Sequence, residues 1–159
     1  MTSTDRSTQY LTAADRTEIR SLVSILLMMA ATTLHHAFRF GPEWLWTAAA
    51  LFLAPVSLFA LYRHTGNRWI AYSYGLLSVL AILSFGILDG FLDHVLKVAS
   101  LDNLTLLEGS DAVFVETRYT LWSNSATYWF YEGTGIATFA LSIFAAWSTA
   151  RLMRGVIRR

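Results

Sequence analysis

The sequence predicts an all-α, polytopic membrane protein: a four-transmembrane-helix bundle with both termini in the cytoplasm. Three observations predict it. Hydrophobic residues make up 55% of the 159, and charged residues only 14%, against about 25% in an ordinary soluble domain. Four runs approach or exceed the roughly 20 apolar residues that a helix needs to cross a bilayer core about 30 Å thick. Basic residues crowd onto one side of those runs. With four spans, Arg6, Arg16, Arg20, Arg63, Arg68, Arg151, Arg154, Arg158 and Arg159 share the side of the termini, nine of twelve, and Arg39, Lys97 and Arg118 lie opposite. The positive-inside rule makes the arginine-rich side cytoplasmic.

The elements follow in order. Residues 1–20 are polar and carry both signs of charge. They lack the early apolar core of a cleavable signal and are expected as a cytoplasmic tail. Asp15 or Thr17 is placed to cap the first helix, with Glu18 near its positive end. Residues 21–159 are expected as one four-helix domain. The first span, about 21–38, contains no Asp, Glu, Lys or Arg. Gly41 and Pro42 then signal a tight turn before the second span, about 44–62. RHTGNR at 63–68 makes the second turn. The third span, about 69–96, meets its first charge at Asp89. An outer loop over 97–127 is too long for a bare connector. Its stretch 111–122 mixes apolar and charged residues, which predicts a short surface helix or strand lying over the bundle as a lid. The fourth span, about 128–150, has Glu132 as its only charge. Trp44, Trp46, Trp122 and Trp129 fit an outer aromatic belt, and Trp69 and Tyr62 an inner one.

Composition also excludes functions. A formal net charge of +1 gives no footprint for a nucleic-acid partner. The absence of cysteine removes disulfides, thiolate metal sites, iron–sulfur clusters and covalent c-type haem.

What remains distinctive is a layer of ionisable residues in the outer half of the spans: His35, His36, Asp89, Asp93, His94 and Glu132. A charge in hydrocarbon costs roughly 2.5–3.5 kcal/mol on insertion scales, so such residues mark sites. At about 1.5 Å per residue, His36, Asp89 and Glu132 rise roughly 22, 30 and 28 Å from the inner boundary, one slab once tilt is allowed. Asp89 and Asp93 share a face at i,i+4, and His94 lies about 100° round from Asp93. His36 shares a face with Met29, Thr32 and Thr33, so it, rather than His35, is expected to join the common site. Gly86, Gly90, Gly133 and Gly135 flank the acids and permit close helix approach.

Imidazoles with carboxylates and no thiolate suit a first-row transition metal such as copper, zinc or iron. Facing helices of a bundle commonly hold metals this way. His36, Asp89, His94 and Glu132 are expected as primary ligands, and Asp93 and His35 as supporting or alternative ones. A metal with an open position could activate water, with Glu132 or an Asp as base, but no motif specifies a substrate. Two other readings stand beside this one. Haem b could be held by His36 and His94. Alternatively, the chain is a non-enzymatic subunit of a larger membrane complex or a homo-oligomer, packing through Gly86, Gly90, Ala137, Ala140 and Ser148. Lipid is a partner in every case.

Asp89-Gly90 followed by three residues and His94 resembles a motif of an uncharacterised family of bacterial four-helix inner-membrane proteins, Asp-Gly-x-x-x-His within a span. Asp93 departs from its apolar pattern, and Val95-Leu96-Lys97 stands where the family carries further histidines. Glu132-Gly133 echoes a second Asp-Gly. The match covers about ten residues. It implies a multi-pass protein of the bacterial inner (plasma) membrane and draws attention to Asp89 and His94.

Overall fold

The structure is a computed structural model that describes residues 13–101 and 123–158. The expected tail up to residue 12, most of the outer loop and the whole of the anticipated lid over 111–122, with Arg118 and Trp122, lie outside those residues. The described chain is helical: α1 (Ala13–Phe40), α2 (Trp44–Thr65), α3 (Arg68–Ala81) and α4 (Asn124–Ile157). α3 continues without a break through a π-wound stretch, Ile82–Val95, and a last α-turn, Leu96–Val98. Four of these helical runs are long and apolar enough to cross a membrane. α1 begins at Ala13 rather than near residue 21, which draws part of the expected tail into the bundle.

Local chemistry ends each helix where a turn is needed. Gly41, at φ 95°, closes α1 by donating its N–H to Ala37 O at 2.9 Å. Gly66, at φ 64°, does the same to Tyr62 O at 2.8 Å. Both need the left-handed region that glycine enters without a Cβ clash. Asn67 then caps α3 by accepting from Trp69 N–H at 2.9 Å, and the Ser123 side chain caps α4 by accepting from Ala126 N–H at 3.3 Å.

The packing rests on two seams. On α1, Glu18, Ser21, Ile25, Met28, Thr32 and His35 are all buried. They recur at alternating steps of three and four, the spacing of a helix seam. The antiparallel α4 packs along this seam and buries Thr127, Tyr131, Thr138, Ala145, Thr149 and Leu152. The Ser21–Thr149 hydroxyl contact at 3.1 Å and the His35–Thr134 contact at 3.1 Å mark its two ends. The second seam joins α4 to α3 and its π-wound extension through small residues. A Cβ on Gly90 would lie 2.9 Å from Phe139 N and 3.0 Å from Gly135 O. α2 packs on α1 and α3 from outside, and Arg63 ties it to α1 through Asp15 at 2.5 Å and Glu18 at 2.6 Å.

Between the two ends lies an apolar layer of Ile25, Met28, Met29, Ile82 and Ala145. The polar residues named from the sequence sit on one side of it and the ion-paired Asp15, Glu18 and Arg63 on the other.

Gly90→Ala should lower stability by about 1–3 kcal/mol, because backbone atoms meet the new methyl and cannot swing away. Gly133→Ala should be neutral or slightly stabilising, since nothing lies within 4 Å of its Cβ position. Thermal unfolding followed by circular dichroism in detergent checks both. Equal midpoints for the two variants would contradict the close α3–α4 approach.

Candidate metal centre

Three helical segments deliver the polar residues to one place. α1 brings His35 and His36, the π-wound stretch brings Asp89, Asp93 and His94, and α4 brings Glu132 with Tyr131 and Thr134. The winding matters. Leu96 N–H donates to Phe91 O, an i→i+5 bond, which opens the turn to roughly 4.4 residues. Asp89, Asp93 and His94 then fit an arc of roughly 80°, where α-winding at 3.6 residues per turn would spread them over roughly 140°. The 100° step from Asp93 to His94 expected from an α-helix is therefore reduced, and all three face the same interior.

The histidine Nδ1 atoms are each committed outward. His35 Nδ1 lies 3.2 Å from Tyr131 O and 3.1 Å from Thr134 Oγ1. The Thr134 hydroxyl donates to the carbonyls of Phe130 and Tyr131, both at 2.9 Å, so His35 Nδ1 must carry the proton. His94 Nδ1–H donates to Glu132 Oε2 at 2.8 Å, and Lys97 Nζ lies 3.2 Å from Glu132 Oε1. His36 Nδ1–H donates to Thr32 O at 3.1 Å. In each neutral ring the remaining nitrogen, Nε2, is therefore a lone pair.

Those lone pairs turn inward onto acceptors. His94 Nε2 stands 3.1 Å from His35 Nε2 and 3.7 Å from Asp93 Oδ2. His36 Nε2 stands 4.0 Å from Asp89 Oδ1. Asp89 Oδ2 and both carboxylate oxygens of Asp93 are buried with no hydrogen-bond partner among the described residues. His35, Asp89 and His94 each offer one ligand atom, all within 4.8 Å of one another. Acceptors facing acceptors repel unless a proton, a water or a cation lies between them. Glu132 is paired with Lys97; with both aspartates ionised, a divalent ion held between them would offset their charge.

The rings are held from behind. His35 stacks on Tyr131 with centroids 4.4 Å apart, and His36 on Trp44 at 4.6 Å. Gly135 leaves room for the His94 ring, whose Cδ2 would lie 2.1 Å from a Cβ there. His35, His94 and Glu132 are enclosed completely, while Asp89 and His36 keep 6% and 8% exposure. The cluster is thus closest to its surroundings on the His36–Asp89 side.

All six residues singled out in the sequence come together, with a different division of places. His35, not His36, lies on the α1 seam and stands at the centre. His36 joins from the margin, so both histidines reach the cluster. Glu132 meets the cluster through His94 Nδ1 rather than across the central space. Sequence reasoning passed over Tyr131, Thr134 and Lys97, which orient or neutralise the others.

No protein-family model, curated protein or solved structure matches this chain. Fold and cluster together define a multi-pass, four-helix membrane protein in which a His/Asp/His group could hold a metal ion.

The proton positions are testable without metal. In metal-free protein in mildly alkaline buffer, 15N spectra of labelled histidine should place a proton on Nδ1 of His35, His36 and His94. A ring among them carrying its single proton on Nε2 would overturn the donor assignment.

Proposed function

We propose that this chain is a metal-binding protein of the bacterial inner membrane, holding one first-row transition-metal ion. His35 Nε2, His94 Nε2 and an Asp89 oxygen are its primary ligands, and His36 Nε2 and Asp93 complete the shell. One observation carries the reading: imidazole nitrogens and carboxylate oxygens from three helical segments converge in a buried space, where three carboxylate oxygens have no hydrogen-bond partner among the described residues. Nitrogen and carboxylate donors without thiolate suit zinc, copper(II) or iron. Glu132 accepting from His94 Nδ1 supports the same reading, because a carboxylate behind a histidine orients the ring and raises its basicity toward a metal. The aspartates favour a bare ion over haem, which asks for no acid. The distribution of arginines supports a centre in the outer half of the bilayer, and the Asp-Gly-x-x-x-His resemblance supports a bacterial membrane.

Protein purified in mild detergent without added metal should carry about one transition-metal ion per chain by elemental analysis. His35→Ala combined with His94→Ala should abolish it while the helical content is kept. Glu132→Gln should retain the site but weaken affinity about 10–100-fold, read by competition with a chelating dye. A folded wild-type protein that neither carries metal nor takes it up would overturn the proposal. A strong Soret band would replace it with haem.

A further inference from the structure

At the opposite, arginine-rich end, the α1–α4 seam opens into a shallow cleft lined by Thr17, Arg20, Trp147, Ser148 and Arg151. Ser148 is only 2% exposed, yet its hydroxyl has no hydrogen-bond partner among the described residues. A buried hydroxyl left unpaired is costly, and this one lines a cleft rimmed by two guanidinium groups. Arg151 is exposed and lies 4.3 Å over the Trp147 ring, a cation–π contact that holds its charge at the rim. Arg20, across the seam on α1, is also exposed. The carboxylates of this end among the described residues, Asp15 and Glu18, both face Arg63.

Two planar cations, a hydroxyl with an unused donor and a tryptophan at the span boundary match the oxygens of a phosphate. The surface leading from the cleft toward mid-membrane is apolar. Ile143, Phe144 and Trp147 are all about half exposed, and the rings of Phe144 and Trp147 stack at 6.0 Å. A free phosphate would make no use of that face, whereas an acyl chain would lie along it.

We propose that this cleft binds the phosphate of an anionic phospholipid, with Arg20 and Arg151 as its cations, Ser148 as hydroxyl donor and the Phe144–Trp147 face carrying one acyl chain. The site is separate from the metal centre and does not rest on that reading. It adds specific recognition to the general attraction of basic residues for an anionic leaflet.

The full chain in detergent, incubated with phosphatidylglycerol or phosphatidylcholine, tests it by native mass spectrometry. Phosphatidylglycerol should be retained about tenfold or more over phosphatidylcholine. Arg20→Gln with Arg151→Gln should erase that preference, and Ser148→Ala should reduce it by about threefold. Circular dichroism and thermal midpoint of each variant establish that the fold is intact, and Arg154→Gln, outside the cleft, should keep the preference. Equal retention of the two lipids by wild type, or the same loss with Arg154→Gln, would overturn the proposal. Displacement of phosphatidylglycerol by an equimolar amount of inorganic phosphate would overturn the lipid assignment in favour of a free phosphate site.

Discussion

Buried acceptors that face one another set the terms for this bundle. In an interior of low dielectric, a carboxylate without a partner is far more costly than at a surface. The chain meets that constraint in two places by local pairing: Arg63 faces Asp15 and Glu18, and Lys97 faces Glu132. Asp89 and Asp93 are different. Asp89 and Asp93 lie 4.0 and 3.7 Å from the imidazole nitrogens His36 Nε2 and His94 Nε2, whose rings hydrogen-bond Thr32 O and Glu132 Oε2 through Nδ1. With each ring singly protonated on Nδ1 and both aspartates ionised, hydrogen bonding within the cluster leaves its inward atoms without donors. A proton shared within the cluster or a cation held by it would relieve that set, and the His35, Asp89 and His94 group could hold a metal ion.

The backbone is arranged around that need. Small residues let α4 approach both neighbours: Gly90 meets the Phe139 and Gly135 backbone, and Gly135 meets the His94 ring. Close approach of this kind drives helix association in lipid, where hydrophobic burial between spans has little force. It also brings side chains from three segments within ligand distance without long reaches. The apolar layer of Ile25, Met28, Met29, Ile82 and Ala145 then separates the cluster from the arginine-rich end. Each end is consequently a distinct chemical environment, one collecting lone pairs and the other collecting positive charge.

The four spans and the polar layer were legible because both are averages. Hydropathy over 20 residues survives an error of several positions, and so does a depth counted from helix rise. Facing is less forgiving. The face shared with Met29, Thr32 and Thr33 favours His36 and leaves His35 as a supporting or alternative ligand. The longer pattern from Glu18 through Ser21, Ile25, Met28 and Thr32 to His35 was present in the sequence, but polar residues occupy positions that a soluble seam fills with leucine. Glu132 was readable as buried, yet its role depends on Lys97 and on which His94 nitrogen it meets, and neither follows from spacing. Tyr131 looked like one aromatic among many until its ring lay against His35.

The π-wound stretch was the least readable element and the most consequential. Nothing in Ile82–Val95 by composition separates it from an ordinary apolar helix, because i→i+5 bonding is chosen by tertiary contacts and not by propensity. Its effect is chemical. Under α-winding, His94 would point roughly 140° away from Asp89; under π-winding the separation falls to roughly 50°. Only the second lets His94 Nε2 face His35 while Nδ1 reaches Glu132 and Asp89 still faces His36. The winding and the ligand set therefore require each other. An ion drawing His35, Asp89 and His94 together would favour the wider turn, and the wider turn presents those atoms before any ion arrives.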